Sequence, residues 1–432
     1  MTPAARLSAA IELIETIDKE RVPAAKALKE WGGAHRFAGS GDRAAISGLI
    51  WDVLRRRSSS AWIMDEDTPR ARVLGMLKLE RGLETDAIAA LCDGSRYAPS
   101  PLTDNERAAL TSRSLDAAPP PVAGDYPEWL DGHLAEVFGE DRVAEAVAMA
   151  SRAPLDLRVN TLKAKREKVL ASTAHLGTMP TTFSPIGLRI ELGADARNPG
   201  IHSEEDFIKG LIEVQDEGSQ LAALLSAARP GEQVIDLCAG AGGKTLALAA
   251  MMQGKGRLIA TDRDKRQLAP IYERLARAGV HNCEVRAPKG EGDVLGGINA
   301  SADLVLIDAP CTGTGTWRRN PDAKWRMRPG ALELRLKDQI EVLDRAKTLA
   351  KPGGRIAYIT CSVLPAENAD QVRAFLARHP DFAVVPPSQV VTALWDKADD
   401  FSTATLQSSE GLLMTPRRTG TDGFFVSVLK EG

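Results

Sequence analysis

The sequence predicts an α/β protein: a parallel sheet domain in the second half, behind a helical region and a small mixed segment. Three observations carry this. From about Gly210 onward, strand-like and helix-like stretches alternate regularly, which implies right-handed βαβ units. The first of those strands runs directly into a glycine loop and an alanine-rich helix. Residues 1 to about 115 carry helical spacing instead. At 432 residues the chain is too long for one ordinary core, so two or three domains are expected.

Taken in order, Leu7, Ile11 and Ile14 follow an i, i+4, i+7 spacing. The stretch from Asp42 to Arg57 repeats the pattern and ends in a basic cluster, Arg55-Arg56-Arg57. Such a cluster complements a helix C-terminus or touches RNA phosphates, and both readings stand. Ala117 to Gly124 contains three consecutive prolines, which cannot continue a helix, so a linker or exposed turn is expected there. A further helical piece spans Pro127 to Ala150. Leu155 to Thr161 alternates like a strand, Lys165 to Leu176 suits a helix, and Gly187 to Leu192 alternates again, making a small α/β subdomain that runs to about Gly200. The strands expected beyond it are 233–237, 257–261, 284–286, 303–307 and 355–360. Gly411–Thr415 and Gly423–Leu429 should form a closing antiparallel pair.

Bulk properties exclude several classes. Apolar content of 44% and charged content of 26% fit a soluble globular protein, and no uninterrupted apolar run approaches membrane length. The N-terminus lacks a secretory pattern. Five cysteines without a CxxC pair suit a reducing cytosol and support neither a disulfide framework nor a zinc site, so no metal is expected. The net charge of −3 points to no partner by itself.

Two of those cysteines carry the chemistry. Cys311 follows the apolar run Asp303–Asp308, and Cys361 follows Arg355–Thr360. In an open α/β sheet, ligands sit outside the carboxyl ends of the strands. If these strands are neighbours, both thiols meet in one cleft beside Asp308. A thiolate there can attack an electrophilic carbon, with a nearby acid to receive the displaced electron density. Either thiol alone would be a core residue more often than not. Cys92 and Cys283 are expected as small buried fillers, and Cys238 as a loop residue lending its backbone.

The glycine loop Asp236-Leu-Cys238-Ala239-Gly240-Ala241-Gly242-Gly243-Lys244-Thr245 lets a ligand approach the backbone at a helix N-terminus. A P-loop needs glycine six residues before the lysine, where Cys238 stands, and the spacing is not GxGxxG either. Asp262, after the second strand, can accept both ribose hydroxyls of a nucleoside, or else merely cap the next helix. Loop plus acid indicate an adenosine-type cofactor. From Trp317 to Arg328 the sequence WRRNPDAKWRMR holds five positive charges, one negative charge and two tryptophans. Cations with interleaved flat rings are what single-stranded nucleic acid needs, so Arg318, Arg319, Lys324 and Arg326 are candidate RNA contacts. The bland alternative is a solvated loop whose tryptophans pack on the core.

Together these stretches resemble the RNA cytosine-C5 methyltransferases of the Sun/NOP family, in particular the bacterial 16S rRNA type. The residues that carry the likeness are Val214–Ser219, Cys238–Thr245, Asp308–Gly315, Arg319–Trp325, Thr360-Cys361-Ser362, Glu367-Asn368 and Thr421–Phe425. The likeness is looser around Asp42-Arg43 and Leu54–Arg56, and it includes Arg158-Val-Asn-Thr161, which adds Arg158 to the RNA contacts.

The resemblance implies a Rossmann-like sheet of about seven strands over 206–432, a NusB-like RNA-binding domain over 1–145 and an RRM-like subdomain over 150–205. It implies S-adenosylmethionine as cofactor, held by residues 238–244, Asp262 and Asp308. Cys361 becomes the nucleophile toward C6 of cytosine, Asp308 the residue bonding the ring near N3 and N4, and Cys311 the group assisting release. The implied partner is RNA, either rRNA alone or a partly assembled small subunit, with a cytoplasmic monomer acting on it. Three departures stand out. Ala241 replaces a usual proline, the 288–293 segment offers no acid in register except through Asp293, and Arg417-Arg418 replace a frequent histidine. The competing readings are a DNA methyltransferase with Cys311 as nucleophile, a tRNA rather than rRNA enzyme, and a non-catalytic RNA-binding assembly factor.

Overall fold

The structure is a computed structural model that describes residues 1–193, 199–290, 292–392 and 397–432. It forms two compact units. One takes residues 1–152 together with 317–327, and the other takes most of the remainder.

The first unit is helical. Its opening helix, Pro3–Glu20, starts with the Thr2 hydroxyl accepting the Ala5 N–H, has proline at its first position and buries Leu7, Ala10, Leu13, Ile14 and Ile17. The 42–57 stretch is not one helix. Ser40–Arg55 ends and Arg57–Met64 begins after a break at Arg56. The physical reason is a buried carboxylate: Asp125 Oδ1 accepts the N–H groups of Ser58 and Ser59 at 2.8 and 3.0 Å, and Oδ2 accepts the Ser59 hydroxyl at 2.6 Å. Amides satisfied this way do not need carbonyls one turn back. The proline triplet is not a linker either. Pro120–Ala123 is a short helix whose first positions are prolines, where a missing N–H costs nothing, and Tyr126 just beyond it is buried. Among the described residues no helix is long and apolar enough to cross a membrane.

The second unit contains two sheets. The smaller has four antiparallel strands in the order Met179–Pro180, Gly187–Ile190, Leu155–Val159, Ile212–Val214. Residues 194–198, inside the stretch assigned to this subdomain from sequence, lie outside the described residues.

The larger sheet has a parallel core, ordered Cys283–Arg286, Arg257–Thr261, Gln233–Asp236, Ala302–Asp308, Ala350–Thr360. Phe424–Glu431 joins antiparallel to the last of these, and Leu412–Met414 pairs antiparallel with it. These seven strands are the ones expected. The sheet counts nine because Phe382–Val384 and Leu406–Gln407, two or three residues each, add at its margin. Strands so short carry no readable alternation.

From Gln233–Asp236 the chain proceeds outward to 257 and 283, then returns to the other side of the starting strand at 302. That reversal is a topological switch point, and the crevice it opens lies at the carboxyl ends of the two central strands. Asp236 and Asp308 close those strands, and the backbone of Leu237 donates to Leu306 O at 2.9 Å. The core behind is apolar, with Val234, Leu258, Leu304, Leu306, Ala357 and Ile359 fully buried.

Candidate active site

The glycine loop occupies the switch point. Ala239 N donates to Thr261 O and Gly242 N to Ala239 O, folding the loop back on itself ahead of the helix Gly243–Met251. Gly240 and Gly242 both have positive φ, at 49° and 86°, but for different ends. Nothing lies within 4 Å of a Cβ built on Gly240, so that position leaves room for a ligand. A Cβ on Gly242 would meet Ile271 Cγ1 at 2.5 Å, so this glycine faces the protein.

A cavity of about 960 Å³ opens over the loop, and Cys238, Ala239, Gly240, Ala241, Gly243, Lys244, Asp262 and Asp308 all line it. Gly242 does not, which corrects its assignment as a ligand contact: its role is close packing on Ile271.

Lys244, in the first turn of the helix, is buried and donates to Asp308 Oδ2 at 2.6 Å. Its neighbour Thr245 donates to Asp236 Oδ2 at 2.7 Å, while Asp236 Oδ1 is buried with no partner. Burial pushes the Asp236 carboxyl up to about 7. Asp262 Oδ2 accepts the Gly240 N–H at 2.9 Å and Oδ1 the Asp264 N–H at 2.8 Å. Each oxygen keeps a lone pair for a hydroxyl.

The thiols converge. Ala302–Asp308 and Ala350–Thr360 are adjacent parallel strands with Asp308 opposite Ile359. The turns beyond them are tied by Ala309 N to Ile359 O and Gly315 N to Cys361 O. Cys311 Sγ and Cys361 Sγ are 3.3 Å apart, both free and partly buried. The bond shared with Cys361, reinforced by burial, holds the Cys311 thiol well above the usual thiol range. The other three thiols are shifted upward as well. Burial raises Cys238 well above its ordinary value, pushes Cys283 up to about 12 and raises Cys92. No cluster able to hold a metal exists among the described residues.

The RNA contacts read from the sequence do not survive as a group. Arg158 is fully buried, donates Nε to Gln215 Oε1 at 2.6 Å and has its pKa lowered to about 10 by burial. Arg318 and Lys324 are also buried. The segment 317–327 packs into the helical unit: Arg55 Nη1 donates to Arg318 O at 2.7 Å, Lys324 Nζ to Arg55 O at 3.2 Å, Trp325 Nε1 to Leu54 O at 2.7 Å, and Asp322 Oδ2 accepts the Ala24 N–H at 3.2 Å. Trp317 is 2% exposed. Burial thus lowers Lys324 to about 7. Arg319 is half-buried, and only Arg326 is exposed, paired with Asp322 at 3.3 Å.

Sequence reading also missed residues that shape the cleft. Ser219 lines it from the Val214–Ser219 stretch, where the motif was visible but its reach was not. Arg335, Glu341 and Arg345 arrive from the helix Pro329–Leu349, which carries no motif that marks it. Arg274 donates Nη1 to Ala241 O at 2.8 Å and Nη2 to Glu213 Oε2 at 3.0 Å, holding the loop where the expected proline is missing. Asp293 lines the cleft, accepting from Leu295 N at 2.9 Å and Arg345 Nη2 at 2.6 Å; residue 291 of the same segment lies outside the described residues.

Comparison with known proteins places this geometry. The family described as 16S rRNA methyltransferase RsmB/F matches residues 223–430, and a ferredoxin-like domain of RsmF/B-like methyltransferases matches residues 126–196. The chain is 32% identical over 315 residues to a probable ribosomal RNA small subunit methyltransferase B of Synechocystis sp., covering 71% of this chain and 67% of that protein. The chain belongs to the RsmB/F family of rRNA methyltransferases. A second member, ribosomal RNA small subunit methyltransferase B of Sodalis glossinidius, is 34% identical over 310 residues, covering 71% and 66%. The chain thus spans about two thirds of these relatives. The crystal structure of PH0851 shares the fold, with a TM-score of 0.71 at 24% identity over 100% of this chain and 99% of that one.

An RsmB/F enzyme uses S-adenosylmethionine, and the residues present fit it. The open face of Gly240, the free lone pairs of Asp262 and a cavity of about 960 Å³ form a cradle for a nucleoside with an amino-acid tail.

Proposed function

We propose that the chain methylates C5 of a cytosine in small-subunit rRNA through a covalent bond between Cys361 and C6 of the base. The observation that supports this most directly is the pair of free thiols 3.3 Å apart at the ends of adjacent central strands. C5 of cytosine is not nucleophilic until C6 has been attacked, so one thiol is needed to make it so. A second is useful only if the adduct must later be taken apart.

The Cys361 thiolate forms the S–C6 bond, the displaced electron pair moves through the ring to N3, which takes up a proton from solvent, and the Asp308 carboxylate accepts from the N4 amino group at that edge. The resulting enamine carries its density on C5. Bound S-adenosylmethionine supplies an electrophilic methyl group on a sulfonium. Once C5 carries the methyl, a water molecule takes the C5 proton, the C5–H electron pair re-forms the C5=C6 bond, the C6–S pair leaves on Cys361 and N3 gives up its added proton. Cys311 assists this release. The base must be unpaired or flipped to admit the thiol. A cytoplasmic monomer acting on rRNA, free or in a partly assembled subunit, is the setting this reading takes.

The test is to incubate wild type, Cys361→Ala and Cys311→Ala with small-subunit rRNA and labelled S-adenosylmethionine, then run denaturing gels. Methyl transfer should vanish in Cys361→Ala, by about 10⁴-fold or more. Cys311→Ala should accumulate a gel-stable protein–RNA adduct. The reverse pattern would make Cys311 the nucleophile.

A further inference from the structure

The two thiol loops bond to each other directly, Gly315 N donating to Cys361 O and Val363 N to Thr314 Oγ1, both at 2.9 Å, and each is also held from a third place. We infer that Glu367 and Asn368, neighbours in sequence, form a clip that sets the distance between Cys311 and Cys361, each residue gripping one cysteine loop. The inference rests on the two-thiol reading for its catalytic meaning.

Glu367 is completely buried, and its carboxylate is spent on the Cys311 loop. Oε1 accepts the Thr312 N–H at 2.8 Å, and Oε2 accepts the Thr312 hydroxyl at 2.5 Å. Gln339 Nε2 donates both to Glu367 Oε1 at 3.1 Å and to Pro310 O at 3.0 Å. The residues on both sides of Cys311 are therefore tied to one carboxylate, directly or through one amide. Asn368 does the same for Cys361. Its Oδ1 accepts the Thr360 hydroxyl, and its Nδ2 donates to Ser362 O at 2.9 Å. The residues on both sides of Cys361 are tied to one carboxamide.

The clip itself is fixed. Tyr358, on the strand that leads to Cys361, donates its hydroxyl to Glu367 O at 2.7 Å. Asn368 sits at φ −114° and ψ −100°, a backbone turn that sends consecutive side chains to different loops.

A buried carboxylate and carboxamide used only to hold loops are costly to bury, and their use goes to geometry. Glu367 and Asn368 are positioning residues. A displacement of about 1 Å at a reacting group can cost about 100-fold in rate.

The test uses full-length protein. Thiol proximity is read without RNA, as the rate at which dibromobimane bridges Cys311 and Cys361, located by peptide mapping. Catalysis is read as kcat and KM for rRNA, and cofactor binding as Kd for S-adenosylhomocysteine. Glu367→Ala and Asn368→Ala should each slow bridging about tenfold and lower kcat about 100-fold, with KM and Kd within about twofold. Glu367→Gln, whose amide oxygen still accepts one Thr312 bond, should recover most of both losses. Should the alanine variants fold poorly, Glu367→Gln and Asn368→Asp decide, the latter losing its donor to Ser362 O and bridging slowly. Wild-type bridging and kcat in Glu367→Ala, or a loss confined to melting temperature, overturns the clip. Slowed bridging in Glu367→Ala combined with no RNA adduct in Cys311→Ala overturns the covalent reading and leaves the clip standing.

Discussion

Cys311 and the 317–327 segment lie only six residues apart, yet sequence and structure relate differently in the cysteine loops and in that segment. Cys311 and Cys361 sit where strand order puts them, at the carboxyl ends of neighbouring parallel strands. Arg318 and Lys324 sit in a stretch whose composition suits RNA, and both are buried among helices. Position on a sheet is a topological constraint that many backbone hydrogen bonds enforce. Composition is a local property that a neighbouring core can turn inward, burying tryptophan and drawing the cations with it. Arg55 and Trp325 show how: the segment's groups find acceptors and donors on the Ser40–Arg55 helix rather than in solvent.

The largest effect that sharpens this contrast belongs to the sheet. Asp308→Asn removes the charge that pairs with Lys244 and that, in the proposed mechanism, faces the base, and should lower single-turnover methyl transfer about 100-fold or more. A loss below tenfold would mean Asp308 serves only to hold Lys244.

The second prediction breaks the RNA reading of the segment. Lys324 has a folded pKa of about 7 against an ordinary 10.5. Between those values the unfolded chain binds a proton that the folded chain does not, so stability rises with pH across that window and is lost as pH falls through it. Lys324→Met should therefore stabilise the protein most at pH 7 and least near pH 10, read by denaturant midpoints. An equal difference at both pH values would show a solvated lysine, as the RNA reading requires.

The smallest effect falls on Arg326. This side chain is exposed and pairs with Asp322, and its replacement by alanine should weaken rRNA binding by no more than about threefold and reduce the salt slope by about one. A loss of 30-fold or more would restore the segment as an RNA platform.

Much of the catalytic half was readable because its strands are long, apolar and terminated by chemistry-bearing residues; Arg257–Thr261 has the bounds expected of it. What escaped was anything that depends on reach across the chain. Asp125 interrupts a helix nearly seventy residues upstream, and Glu367 serves a loop fifty-five residues before it. The resemblance alone puts Arg158 among the RNA contacts, and β alternation does not say which face of its strand is covered. Here the neighbouring strands Gly187–Ile190 and Ile212–Val214 flank it and Gln215 takes its Nε.

The 317–327 segment has one more consequence. It lies in the second half of the sequence but belongs to the helical unit, so no single cut divides this chain into self-sufficient pieces. A protein beginning after residue 152 would carry Trp317, Arg318 and Lys324 stripped of the helices that bury them, and the leading helices alone would leave the Ala24 N–H without its Asp322 acceptor. Loss or exchange of the N-terminal helices during evolution must therefore be matched by change at a distant stretch of sequence, and the two should be inherited together.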